Sequence, residues 1–242
     1  YLLMATVCIK AQEANLKMKF DFSNVTGTSV KDDVSGIAAS LVNNAKVMSM
    51  GKYKVLDLGN GTGYLNMTAA AGKVFSKNDD FSISVYYRVN EEASLSGNGF
   101  FLWSFATTEN TTATAGKYSA YRLNAQRFAS SNGGYQNETG MEMGTASDKG
   151  RWIHVAYTEK GGKGVLYIDG KAVKTKTGMH KNSTNFGSIA INHCWLGRAP
   201  FTADKYLTQT LITDFRYYGG CLTAEEIAEL AKETEILEYE MI

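Results

Sequence analysis

The 242-residue chain is short of proline, with one, and of cysteine, with three, and neither sign of charge is in excess: 25 Lys and Arg stand against 24 Asp and Glu. A net charge of +1 argues against a nucleic-acid binder, which carries a basic stripe, and against a polybasic membrane-surface protein. The apolar N-terminal run from Tyr1 to Ile9 falls far short of the roughly 20 residues that a membrane-spanning helix needs. A domain of this length buries roughly 70% of the surface its unfolded chain exposes, so it needs no disulfide or metal to hold a core. Catalytic signatures are missing too. The histidines, His154, His180 and His193, form no H-E-x-x-H, and there is no C-x-x-C or Gly-x-Ser-x-Gly. Gly59 to Gly63 is glycine-rich but lacks the Lys-Ser/Thr of a phosphate loop, and reads as a tight turn into Tyr64 to Met67.

What is present is 24 glycines and 12% aromatic residues within a 44% hydrophobic chain. With few helix-period stretches, this points to short strands joined by glycine turns. Phe81 to Val89 alternates: Ile83, Val85, Tyr87 and Val89 share one face, Ser84, Tyr86 and Arg88 the other. Phe100 to Phe105 is apolar on both faces and reads as an inner strand. In Tyr118 to Gln126, Tyr121, Leu123 and Ala125 face inward, while Tyr118, Arg122, Asn124 and Gln126 face out. Arg151 to Tyr157 and Gly164 to Ile168 are strands around the Gly161-Gly162 turn, and Asp169-Gly170 is a type I′ hairpin signal leading into Lys171 to Lys174. Ile189 to Ile191, Cys194 to Leu196 and Leu211 to Tyr218 supply the last strands.

The ends read differently. Tyr1 to Ala11 has the pattern of the back half of a secretory signal, or of an ordinary first strand. Thr223-Ala-Glu-Glu226 is a capping box, and Ile227, Leu230 and Ala231 fall on one face of the helix it starts. Residues 12–231 then form one domain. Residues 232–242, with Glu233, Glu235, Glu238 and Glu240, read as a last strand or as an acidic linker to a further domain.

Gly150 to Thr158, Val165 to Val173 and Leu196-Gly-Arg198 resemble the central hairpin and following strand of laminin-G-like jelly-roll domains. Ile212 to Ile227 is similar to their closing strand and helix, and Phe20-Asp-Phe22 with Asp33 to Gly36 to their opening strand and loop. The resemblance implies an all-β, concanavalin A-like sandwich of two antiparallel sheets with a short C-terminal helix. It does not fix an activity, because the fold hosts lectins, enzymes and interaction modules. Related glucanases carry E-x-D-x-x-E on one strand. That spacing is absent here, and Glu138 and Glu142, interrupted by Gly140, read as solvated loop charges.

The resemblance also implies one Ca²⁺ at the sandwich edge, with Asp21, Asp33 and Asp214 as matching ligands; otherwise Asp33 starts a turn and Asp214 pairs with Arg216. A sugar surface needs aromatic faces beside planar polar side chains. Tyr86 and Arg88 with Tyr118, Arg122 and Asn124 offer that mixture if both strands lie in one sheet, with Tyr135, Phe201 and Tyr206 as loop alternatives. Cys194 and Cys221 are either a disulfide or two free thiols. The expectation is a secreted, periplasmic or cell-surface module that binds a polysaccharide or glycan without catalysis, appended to a glycan-processing protein. The alternatives are a spacer packed on a catalytic domain of the same polypeptide, and a glucanase-type enzyme.

Overall fold

In the computed structural model, residues 15–241 are described; the stretch Tyr1 to Ala11, expected as the back half of a secretory signal or as a first strand, lies outside them. Alternating strands build two antiparallel sheets. The eight-stranded sheet runs β15 (Lys171–Thr177), β14 (Lys163–Ile168), β13 (Ile153–Lys160), β8 (Phe81–Val89), β17 (Thr210–Tyr218), β6 (Tyr53–Asp57) and β5 (Lys46–Met50). β1 (Leu16–Phe20) joins the second half of β17, so the first and last strands are neighbours. The nine-stranded sheet runs β12 (Glu138–Glu142), β11 (Arg127–Ser131), β10 (Tyr118–Arg122), β9 (Phe101–Ala106), β16 (His193–Leu196), β7 (Tyr64–Asn66), β4 (Ala38–Val42), β3 (Ser29–Lys31) and β2 (Val25–Thr26).

The core lies between the sheets and is filled by the inward half of each alternation. Ile83, Val85, Tyr87 and Val89 of β8 meet Tyr121, Phe128 and Phe105 from the other sheet. Phe128 stacks on Tyr157 at 3.5 Å between ring centroids. The turn residues Asp169 and Gly170 both have positive φ, 49° and 75°, as a type I′ hairpin requires.

Short α-helices are added among the described residues: α1 (Thr68–Phe75), α2 (Asn182–Phe186), α3 (Ala224–Ala231) and α4 (Glu233–Tyr239). The Thr223 hydroxyl accepts from the Glu226 N–H at 3.2 Å and Glu226 accepts from the Thr223 N–H at 2.8 Å, closing the capping box. α3 lays Ile227 and Leu230 on Ala156, Tyr167 and Tyr218, on the outer face of the eight-stranded sheet. Within 232–242, Glu233 to Tyr239 form a helix and not the expected strand: α4 buries its Leu237 against Tyr86, Trp152, Val55 and Met50. Two other expectations change. Ile189 to Ile191 is not a strand, and the predicted strand over Tyr118 to Gln126 ends at Arg122, where the chain turns back into β11. Cys194 and Cys221 are free thiols, the first buried and the second exposed.

Candidate functional site

The outer face of the nine-stranded sheet is not covered by α3 and α4, and it carries a groove of about 370 Å³. Cross-strand pairing builds its floor. Ala120 of β10 stands opposite Ala129 of β11, and Ala129 opposite Gly140 of β12. Same-face neighbours on a strand are two residues apart, so the flanking rows are Tyr118, Ser131 and Glu138 on one side and Arg122, Arg127 and Glu142 on the other. The small residues between the rows leave a channel over Ala120 and Ala129, which the Arg127–Glu138 ion pair crosses at Gly140. At Gly140 a Cβ would lie 2.7 Å from an Arg127 guanidinium nitrogen, so the channel has no room for a side chain there.

Loops complete the walls. Phe201 brings its ring to 5.4 Å from Tyr118, 5.9 Å from Phe101 and 6.5 Å from Tyr135. Asn98 and Asp204 stand at the groove as well. The loop carrying Phe201 and Asp204 is fastened at both ends. At its start, Arg198 lies 4.1 Å over the Trp195 ring, donates to the Tyr64 hydroxyl at 3.1 Å and pairs with Glu109 at 2.7 Å. At its end, Lys205 bridges Gly99, where the Phe100 N–H donates to the Lys205 carbonyl at 3.0 Å. Gly99 has φ +121° and its Cβ position lies 2.3 Å from that carbonyl oxygen, so only glycine admits the bridge.

The charges in the groove fall into two kinds. Glu138 is engaged: the Tyr118 hydroxyl donates to one carboxylate oxygen and Arg127 ion-pairs with the other. Burial pushes the Tyr118 phenol above its ordinary range, although Arg127 and Arg122 pull it down, so Tyr118 remains a donor. Arg122 and Asp204 are free. The Arg122 Nε is buried without a partner, and among the described residues neither charged group makes a hydrogen bond or a close ion pair. Burial raises the Asp204 carboxyl, with Arg122 opposing.

Of the five residues expected to bind sugar, the structure brings Tyr118 and Arg122 into this groove, together with the loop alternatives Tyr135 and Phe201. Asn124 sits in the turn after β10, where its amide donates to the Gly97 carbonyl at 2.7 Å and holds the neighbouring loop. Tyr86 and Arg88 belong to the other sheet. Tyr86 is buried beneath α3 and α4, with its hydroxyl donating to the Leu230 carbonyl at 2.6 Å. Arg88 donates to the Gly150 carbonyl at 2.8 Å. The two strands therefore do not line one groove. Period-two alternation gives the faces of a strand, not the sheet it joins or what covers it. Tyr206 packs in the Arg198 cluster instead, 6.1 Å from Tyr64. Glu138, expected as a solvated loop charge, is a strand residue at the site, as is Arg127. Asp204 and Phe101 also carried no motif.

The three aspartates expected around calcium meet only in pairs, Asp21 with Asp33 and Asp21 with Asp214. Asp21 and Asp214 do line one cavity of about 380 Å³ between β1, β17 and the C-terminal helices, since β1 and β17 pair. Each is committed, however. Asp21 accepts from Lys19 at 2.8 Å and from the Ser23 N–H at 2.9 Å; burial opposes its charge, but these partners hold its carboxyl well below the usual range. Asp214 takes two hydrogen bonds from Arg216, at 2.8 and 2.5 Å. Asp33 stands beside Asp21 and accepts from the Ser23 hydroxyl at 3.5 Å; burial, then the Asp21 carboxylate, raises its carboxyl. In its loop it is the preceding residue, Asp32, that is buried, accepting from the Val34 and Ser35 N–H groups at 3.2 and 2.5 Å. Lys19, Lys52, Lys54 and Arg216 also face the cavity, as do Glu229, which Lys232 engages, and Glu233, which accepts from the Tyr53 hydroxyl. Among the described residues no group of three or more Asp, Glu, His or Cys could hold a metal. Calcium wants six to eight oxygen ligands, and this residue set does not fit it.

A laminin G model of the concanavalin A-like lectin/glucanases superfamily matches residues 59–228. No curated protein matches the chain. Among solved structures, it is similar to domain 4 of AbnA, a GH43 extracellular arabinanase from Geobacillus stearothermophilus, in complex with arabinotriose. That match has a TM-score of 0.68 at 16% identity and covers 90% of this chain and 98% of the other. A botulinum neurotoxin type C structure, whose cell entry depends on two ganglioside molecules, matches with a TM-score of 0.66 at 17% identity, over 93% of this chain and 53% of that one. A sialidase from Trypanosoma rangeli matches with a TM-score of 0.62 at 15% identity, over 93% of this chain and 34% of that one. At these identities the likeness is one of fold. The chain spans about half of the toxin chain and a third of the sialidase.

Proposed function

The chain belongs to the concanavalin A-like lectin/glucanases superfamily as a laminin-G-like member, and from that premise we propose that it is a non-catalytic carbohydrate-binding module of a secreted glycan-processing protein. The groove on the nine-stranded sheet carries the reading. A sugar ring presents an apolar C–H face and a rim of hydroxyls. The groove offers Phe201, Tyr118 and Tyr135 to the first, and Arg122, Arg127, Glu138, Asp204 and Asn98 to the second. Its volume falls within the roughly 300–1,000 Å³ of small-ligand pockets. The AbnA domain, crystallised with arabinotriose, supports a sugar as ligand on this fold. AbnA is extracellular and a glycoside hydrolase, which supports secretion and a catalytic domain in the same polypeptide.

Catalysis is disfavoured by the state of the acids. A retaining glycosidase needs two available carboxylates about 5–5.5 Å apart. Glu138, one of the two carboxylates lining the groove, is already held by Arg127 and Tyr118. A second reading, a spacer packed on a catalytic domain, draws on the exposed Met48, Ile236, Tyr239 and Met241 on and near α4.

The test is a glycan array probed with the folded chain and with Phe201→Ala. The expected result is retention of a defined set of glycans, weakened about tenfold, or roughly 1.4 kcal/mol, by the substitution. An empty array with an intact melting transition favours the spacer. Release of reducing sugar that Glu138→Gln abolishes would overturn the non-catalytic reading.

A further inference from the structure

We propose that Arg122 and Asp204 form a donor–acceptor clamp on two neighbouring hydroxyls of an uncharged sugar ring, which makes the groove selective for neutral glycans over uronates. The inference rests on the glycan-binding reading above and adds the charge of the ligand and the contact that senses it.

Both groups face the groove, one from β10 and one from the loop that Arg198 and Lys205 fasten. Every other charged side chain lining the groove has a protein partner: Arg127 and Glu138 have each other. Arg122 and Asp204 are close enough for the guanidinium to act on the carboxyl, yet they make no ion pair within 4 Å. A guanidinium only donates hydrogen bonds and a carboxylate only accepts them. What fits between them must accept from one and donate to the other. A hydroxyl does both, and a pair of adjacent ring hydroxyls satisfies both poles at once, with charge-assisted bonds that are about twice as strong as neutral ones.

A ligand carboxylate fits less well. It could accept from Arg122, but it would set a second negative charge beside Asp204, with Glu138 also lining the groove and Arg127 already occupied. Burying like charges together is costly. The lining holds two arginines and two acids, so the groove has no surplus positive charge to repay an anionic ligand.

Acidity gives a second signature. The charged and titratable groups around Asp204 are Arg122 of β10, Arg127 of β11, Glu138 of β12, and the Tyr118 and Tyr135 phenols. Burial raises the Asp204 carboxyl and Arg122 lowers it, with burial prevailing. Asp204 therefore takes up its proton earlier on acidification than an exposed aspartate, and loses acceptor capacity as it does so.

The experiment measures affinity of the wild-type chain, Asp204→Asn and Phe201→Ala for immobilised arabinan, xylan, β-glucan and polygalacturonate, at neutral pH and near pH 4. The expected wild type binds at least one neutral polysaccharide about tenfold or more tighter than polygalacturonate, and weakens on acidification. Asp204→Asn is expected to bind about tenfold more weakly at neutral pH and to lose the pH dependence. Tighter binding of polygalacturonate, or an Asp204→Asn chain with wild-type affinity and pH slope, overturns the clamp. If Phe201→Ala still weakens binding in that case, the groove reading survives without it. A folded wild type that binds none of the four polysaccharides overturns the clamp and counts against the groove reading as well.

Discussion

Two buried titratable residues give the protein opposing pH dependences. Glu159, at the end of β13, is 1% exposed. One oxygen accepts from the Tyr157 hydroxyl at 2.8 Å and the other has no partner. Burial pushes its carboxyl up to about 7, against the Tyr157 hydrogen bond and with Asp79 and Asp80 adding to the rise. The unfolded chain ionises it near 4.3. Between those values the folded state binds more protons, so stability falls as pH rises through this window. Glu159→Gln removes the penalty. Unfolding free energies from urea titration should be higher for the variant than for the wild type above pH 7, by on the order of 1–3 kcal/mol, and the gain should fade below about pH 4. Curves that run parallel at all pH values would refute the assignment. His154 works the other way. Burial, then Arg216, holds its imidazole down to about 3, and its Nε2 meets the Ser84 hydroxyl at 2.8 Å. The unfolded imidazole takes a proton near 6.5, so its contribution is intact above that value and is lost as pH falls towards 3. Where the two windows overlap, the slopes cancel in part.

At the scale of elements, what was legible followed from local pattern. The alternation in β8 and the capping box at Thr223 are statements about adjacent residues, and both stand in the structure. α1 was not legible because Thr68 to Phe75 has no side-chain cap, and its helix rests on packing of Ala71 and Phe75 into the core. α4 was misread for a related reason. Its glutamates alternate partly with apolar residues, as a strand would, but Leu237 is its single buried residue, seated on Tyr86 and Trp152. Tyr86 and Arg88 read as a sugar-binding face because nothing in Phe81 to Val89 announces a cover such as Leu230, 144 residues after Tyr86. The groove was half legible: Tyr118 and Arg122 share a strand face, whereas Asp204 arrives on a loop that long-range contacts fix. The C-terminal cover should be energetically substantial. Thr223→Ala should cost about 1 kcal/mol through the lost cap, and Leu237→Ala about 2–4 kcal/mol through lost burial and the cavity left behind. Both are read from denaturant midpoints. A Leu237→Ala cost below about 0.5 kcal/mol would mean that α4 does not hold the sheet face.

At the scale of the molecule, the sandwich treats its two outer faces unequally. One is closed by α3 and α4, and the other stays open along a channel of small residues. Closure depends on the ends of the chain. β17 pairs with β8, β6 and β1, joining Tyr218 to Ser82 and to Leu16 across most of the sequence. Such pairings must close long loops before any contact repays them, which makes folding slow. Three tryptophans report on the three layers. Trp103 lies in the inter-sheet core, Trp152 lies under α4, and Trp195 lies beneath Arg198 next to the groove loop. If the layers form one cooperative unit, urea unfolding followed by tryptophan fluorescence and by far-UV circular dichroism should coincide, with refolding on the millisecond-to-second scale typical of β-sandwiches. The decisive comparison uses a variant that keeps Trp152 as its only tryptophan, with Trp103 and Trp195 replaced by Phe. Should its fluorescence transition precede the loss of sheet signal, α4 is a separately melting cover. The eight-stranded sheet would then hold without it, and the face carrying Tyr86 would open before the fold is lost.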